Sequence, residues 1–153
     1  MSPPRNAPSL TYVRRIRATL AKVWNAFVDP RELLHWWGPD AGPALSAETD
    51  VRVGGAFRIS FRTMDGELHE TRGEYLDLDP PKRLLMSWWL SDTPGVRSRV
   101  SISIVAVHEG VEVTVKHDGF SDEGLRVTHE QGWVTAIDKM AAHVEAQEEQ
   151  EKT

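Results

Sequence analysis

The chain has 153 residues, 40% hydrophobic and 27% charged, with a net charge of −5 and no cysteine. That length suits one domain able to bury a core without covalent staples. The composition excludes disulfides, a thiolate nucleophile and a cysteine-bearing zinc site, and the acidic balance disfavours nucleic acid and anionic membrane surfaces.

The opening "MSPPRNAPS" lacks the apolar stretch of a signal peptide and reads as a disordered lead. No apolar run approaches the ~20 residues that span a bilayer, so a cytoplasmic protein is expected. "LTYVRRIRA" (10–18) alternates as a strand. Thr19 is placed to cap a short helix over 20–28, with Val23, Trp24 and Phe27 at helical spacing. "DPREL" restarts a helix, with Asp29 as cap, Pro30 in the first turn and Glu32 two residues on. This second helix carries Trp36 and Trp37 and stops at Gly38-Pro39, before the loop "PDAGP".

From 44 to 117 the hydrophobic period becomes two. Strands are expected over 44–53, 56–63, 68–78, 83–90, 97–107 and 111–117. Gly54-Gly55, Asp65-Gly66, "DPP", "SDTPGV" and His108-Glu109-Gly110 punctuate them. Val100, Ile102 and Ile104 share one face, as do Val111, Val113, Val115 and His117. Beyond Ser121-Asp122, either of which can cap, the period returns to 3.6 in a helix reaching about 147. On that helix Trp133, Ile137, Met140 and Val144 share one face. The acidic run 145–151 reads as a solvated tail.

One strand, two short helices, six meandering strands and one long helix make an α+β chain. The economical packing is a curved antiparallel sheet gripping the long helix, with a hollow where the two diverge and the short helices closing that end. Four of six tryptophans lie in the pairs Trp36-Trp37 and Trp88-Trp89. Neighbouring side chains diverge in helices and strands alike, so one ring of each pair should be buried and the other turned away.

Acid–base chemistry needs an imidazole or carboxylate held in a dry pocket. His117, at a strand end with inward parity, and His129, one turn before Trp133, are the candidate polar handles; each also suits a hydrogen-bonded structural histidine. "HEQGW" (129–133) is not a metal-binding helix motif, because position 133 is Trp, and no residue set has metal spacing. Asp50 and Arg52 should face outward, because Val51 and Val53 claim the inward parity. Glu70, Arg72 and Glu74 alternate together on a solvated face.

The segments "VWNAFVDPRELLHWWGP" (23–39), "DVRVGGAFR" (50–58), "GEYLDLDPPKRLLMSW" (73–88), "VTVKHDGF" (113–120) and "HEQGWVTAIDKM" (129–140) appear in that order. Together they resemble the single-domain bacterial branch of the heat-shock-protein-90 ATPase activator-like family, within the START-like (SRPBCC, polyketide cyclase and pollen-allergen-like) superfamily. The resemblance implies a helix-grip fold with an internal cavity, as one domain over 10–147 with flexible tails at 1–9 and 148–153.

The expected function is binding of a small hydrophobic or amphipathic ligand between sheet and C-terminal helix, without evident catalysis. The expected ligand-binding residues are Trp37, Phe57, Phe61, Trp88, His117, His129, Trp133, Ile137 and Met140. A cyclase or isomerase using His117 or His129 as acid/base is the alternative. A co-chaperone role follows from the family name alone, and the chain shows no second domain of the kind the eukaryotic activators use to contact the chaperone. No cofactor, metal, nucleic acid or membrane partner is expected, and a homodimer is left open.

Overall fold

The element order read from the sequence recurs in a computed structural model, which describes residues 8–39, 43–90, 97–120 and 122–151. Residues 1–7 of the lead expected over 1–9, most of the "PDAGP" loop, the "SDTPGV" loop and the alternative cap Ser121 lie outside the described residues, and Ser9 of that lead already belongs to the first strand. The elements are β1 (Ser9–Ile16), α1 (Leu20–Val28), α2 (Pro30–Trp36), β2 (Ser46–Thr49), β3 (Ala56–Arg62), β4 (Leu68–Asp79), β5 (Arg83–Leu90), β6 (Ser98–Val107), β7 (Gly110–Asp118) and α3 (Glu123–Glu151).

All seven strands form one antiparallel sheet in the order β1-β7-β6-β5-β4-β3-β2. The six meander strands pair with their neighbours in sequence, and β1 closes onto β7. The sheet curves around α3, as expected of a helix-grip fold. The caps follow the sequence too. Thr19 accepts from the Lys22 amide at 3.2 Å, the Asp29 carboxylate from the Arg31 amide at 2.9 Å, and the Asp122 carboxylate from the Leu125 amide at 2.8 Å. Each satisfies an amide that the helix itself leaves unpaired.

The inner face carries the apolar parity of every long strand. Ile102, Ile104, Val111, Val113 and Val115 are buried against Ile137, Met140, Ala141 and Val144 of α3 in one core. Fully burying one such side chain contributes roughly 1.5–3 kcal/mol. The outer face carries a charge ladder, in which Arg58 pairs with Glu48 at 2.8 Å and Glu70 at 3.8 Å, and Arg72 pairs with Glu70.

Two expectations are corrected. The strand expected over 44–53 is only Ser46–Thr49, and Val51 and Val53 are 42% and 60% exposed. After Thr49 the chain leaves the sheet for a tight turn, where the Asp50 amide bonds to the Ala56 carbonyl at 3.0 Å and the Gly55 amide to the Arg52 carbonyl at 2.8 Å. Strand parity therefore no longer applies there. The second correction is the acidic run. Helix α3 continues to Glu151, and Glu145 and Glu148 accept hydrogen bonds from the Arg17 and Thr19 amides at 3.0 and 3.1 Å. Those amides precede α1 and have no partner within it, so the carboxylates fasten the end of α3 to the β1–α1 junction.

Candidate functional site

At the other end of α3 the helix and the sheet separate around a cavity of about 330 Å³. That falls at the lower end of the ~300–1,000 Å³ typical of small-molecule sites. Its walls come from the first turns of α3, the inner face of β3 to β6, and residues 36–39 at the end of α2.

The closing segment depends on two local features. Gly38 has φ +114°, a conformation that L side chains avoid, and it turns the chain after α2. Gly132 of α3 is the surface that segment rests on, because a Cβ there would stand 3.3 Å from Pro39 Cβ. A glycine inside a helix costs about 1 kcal/mol relative to alanine. Here it admits the closing segment.

The tryptophans form the wall. Trp37 stands 5.3 Å from Trp88 and 5.9 Å from Trp133, and Trp88 stands 5.3 Å from Trp133, centroid to centroid. Such ring pairs contribute about 0.5–1.5 kcal/mol each beyond area burial. Trp36 and Trp37 are both buried, which corrects the expectation that one ring of that pair would turn away. Trp36 ends α2, but Trp37 is its cap with extended backbone (φ −66°, ψ 139°), so the helical divergence does not separate them. The Trp36 indole donates to the Ala26 carbonyl at 2.9 Å and packs edge-on against Phe27. In the other pair Trp88 is buried, while Trp89 is half-buried with the Arg97 guanidinium 4.6 Å from its ring centroid.

A buried polar chain lies behind the wall. The Trp133 indole donates to His117 Nδ1 at 3.0 Å, and His117 Nε2 lies 2.7 Å from Ser98 Oγ. An indole N–H can only donate, so Nδ1 must be the acceptor and the proton of neutral His117 sits on Nε2. Nε2–H then donates to Ser98, whose hydroxyl points on to the Trp88 carbonyl at 3.4 Å. Burial, reinforced by neighbouring His129, holds His117 well below the usual histidine range. His117 thus keeps one tautomer and has no nitrogen to spare.

His129 has the opposite tautomer. Its Nδ1 lies 2.8 Å from the Leu125 carbonyl, which can only accept, so neutral His129 carries its proton there and leaves Nε2 as an acceptor. Burial lowers its pKa as well, with the Leu125 bond acting against that shift. Two further polar atoms of wall residues, Thr71 Oγ1 and Trp88 Nε1, are buried with no hydrogen-bond partner among the described residues. Leaving such a group unsatisfied costs about 1–3 kcal/mol.

Of the residues expected from sequence, Trp37, Phe61, Trp88, His129 and Trp133 line the cavity. Phe57 lies beside it, its ring 5.5 Å from Tyr75 and over Gly73, where a Cβ would fall 2.5 Å from the ring. Ile137 and Met140 are fully buried in the core farther along α3, and His117 stands behind Trp133. Thr71 and Ser98 were not singled out. Their signal is parity: each is a polar residue at an inward position of its strand, two before Gly73 and two before Val100. Among the described residues no three histidines or carboxylates converge as a metal site, and no helix is long and apolar enough to cross a membrane.

A family model described as Activator of Hsp90 ATPase homolog 1-like protein matches residues 17–145. A protein from Chromobacterium violaceum superposes with a TM-score of 0.78 at 26% identity, covering 90% of this chain and 96% of its own. An AHSA1 protein from Silicibacter pomeroyi gives 0.78 at 21% identity, covering 92% and 99%. DynU16, described as a protein in the dynemicin biosynthetic locus, gives 0.72 at 23% identity, covering 90% of this chain and 47% of its own. Comparison with curated proteins finds no match.

Proposed function

Because the chain belongs to the Activator of Hsp90 ATPase homolog 1-like family of the START-like superfamily, we propose that it binds a small hydrophobic or amphipathic molecule between the sheet and the first half of α3. The observation that carries this reading is a 330 Å³ cavity walled by an interlocking tryptophan cluster. A core closed for stability alone would fill the space beside those rings, since interiors pack to the density of organic crystals. A neighbour of the same fold comes from a biosynthetic locus, which agrees with a small-molecule role.

Catalysis has weaker support. Both His117 nitrogens are engaged within the protein, and among the described wall residues no carboxylate stands ready to orient His129. A general acid or base needs a nitrogen that reaches the reacting proton. We place the protein in the cytoplasm, where a chain free of cysteine has no disulfide to lose.

Titration of apolar and aromatic compounds should change tryptophan fluorescence saturably and raise the thermal midpoint, because ligand that binds only the folded state stabilises it. Native mass spectrometry of the purified protein should show a co-purifying small molecule. If a broad library of lipids and aromatic compounds produces no fluorescence or thermal shift, the reading fails. A several-fold stimulation of a heat-shock-90 ATPase by this protein would move the function to a chaperone contact.

A further inference from the structure

Resting on the ligand-site reading, we infer that the cavity selects an electrically neutral, ring-bearing molecule with an acceptor oxygen for Trp88 and Thr71 and a donor for His129. Three observations converge. First, no described wall residue is Asp, Glu, Lys or Arg, and of the three histidines at the cavity burial disfavours the charged form of His117 and His129, while His69 stands half-buried on the sheet side, stacked on Phe61. A carboxylate or phosphate placed against α3 and the tryptophan wall would lose its water with no permanent counter-charge in exchange, so ionised ligands are disfavoured there.

Second, the two residues that carry unpaired polar atoms are neighbours on the sheet. Trp89 pairs with Arg72 across β4 and β5, which puts Trp88 opposite Gly73, one step from Thr71 on the same inward face. The Trp88 indole can only donate and the Thr71 hydroxyl can donate, so together they suit a carbonyl or ether oxygen. Third, His129 Nε2 accepts and has no partner among the described residues, so it suits a phenol or alcohol O–H. Several other polar groups nearby are spent: His117 on Trp133 and Ser98, the Ser98 proton on the Trp88 carbonyl, Thr63 on Asp65 and Thr128 on the Gly124 carbonyl.

The test uses four bicyclic probes of similar size: naphthalene, 2-acetylnaphthalene, 6-acetyl-2-naphthol and 2-naphthoate, titrated at neutral pH by tryptophan fluorescence and calorimetry. The ketone should bind roughly three- to ten-fold tighter than naphthalene, and the hydroxyketone should gain a similar factor again, as expected for single neutral hydrogen bonds. Naphthoate should bind more weakly than naphthalene. Thr71→Val, which keeps shape, and Trp88→Phe, which removes the indole N–H with part of the ring, should each bring the ketone-to-naphthalene affinity ratio close to one, whatever either does to naphthalene affinity itself. His129→Phe should erase the hydroxyl's advantage alone. If the neutral probes bind but naphthoate binds as well, or the ketone gains nothing, the inference is overturned while the cavity reading stands. Unchanged probe preferences in a Thr71→Val protein that has become more stable would show two unsatisfied atoms served by water only, which also overturns it. Failure of all four probes, with no member of the wider library binding, removes both.

Discussion

The two halves of α3 meet the same curved sheet with the same kind of face, yet one is core and the other a cavity wall. In the second half, Ile137, Met140, Ala141 and Val144 have no accessible surface, and Glu145 and Glu148 tie the helix to the β1–α1 junction. His143 adds a 2.6 Å contact to Glu32 of α2 and stacks on His35. In the first half, helix and sheet separate, and tryptophan rings with the segment around Pro39 surround the gap. The difference teaches that stability and ligand binding occupy separate lengths of one helix, so substitutions should split along it.

The sharpest break comes from Met140→Ala or Ile137→Ala, which should cost about 2–5 kcal/mol in chemical denaturation with probe affinity intact. Phe61→Ala, facing the cavity, should cost only about 1–2 kcal/mol because fewer contacts are lost, and should change affinity. Equal stability losses at both places would erase the distinction.

Acid should act on the open half. The folded pKa of His117 lies below its unfolded value, so between the two the unfolded chain binds the extra proton. Stability should therefore fall as pH drops below about 6.5, by up to about 1.4 kcal/mol per pH unit for this one group, and level off below the folded pKa. His129 shifts in the same direction and adds a smaller amount, being less buried. His117→Gln, which still offers Trp133 an acceptor, should flatten this dependence in urea titrations between pH 7 and 5. An unchanged slope would remove His117 as its source.

Glu148→Ala tests the fastened end. The Thr19 amide loses its acceptor and Lys22 loses one ion partner, at 3.6 Å, which should cost about 1 kcal/mol and speed hydrogen exchange at Thr19. Ligand affinity should not move. The smallest stability effect is expected from Gly132→Ala. The gain in helix propensity, about 1 kcal/mol, is offset by the 3.3 Å approach to Pro39, leaving a net change below about 1 kcal/mol. Probe dissociation in stopped-flow fluorescence should nonetheless accelerate, because Pro39 must give way. An unaltered rate would mean that the 37–39 segment does not hold the ligand in.

Much of the fold was legible because its signals are local. Thr19, Asp29 and Asp122 cap as spaced, and the shift of period from two to 3.6 near Asp122 marks α3. The misreadings came where a local rule stopped applying: Val51 and Val53 beyond the end of β2, and Trp37 one residue past the last helical turn. The polar wall residues were harder to see. Thr71 and Ser98 look like ordinary strand residues until their inward parity is noticed, and the tautomers of His117 and His129 depend on partners 16 residues away and one helical turn away.

By itself the sequence determined the element order, the helix boundaries set by caps and glycines, and the faces that turn inward, because periodicity and capping act within a few residues. Only the tertiary structure decided where α3 leaves the sheet, and therefore that Met140 is core while Trp133 is wall. The helical period puts both on one stripe, and what lies opposite that stripe depends on the curvature of strands tens of residues away in sequence, as with Trp133 against Trp88 of β5. That separation also leaves Trp88 and Thr71 without partners, since hydrogen bonds are fixed by distances that no local pattern encodes.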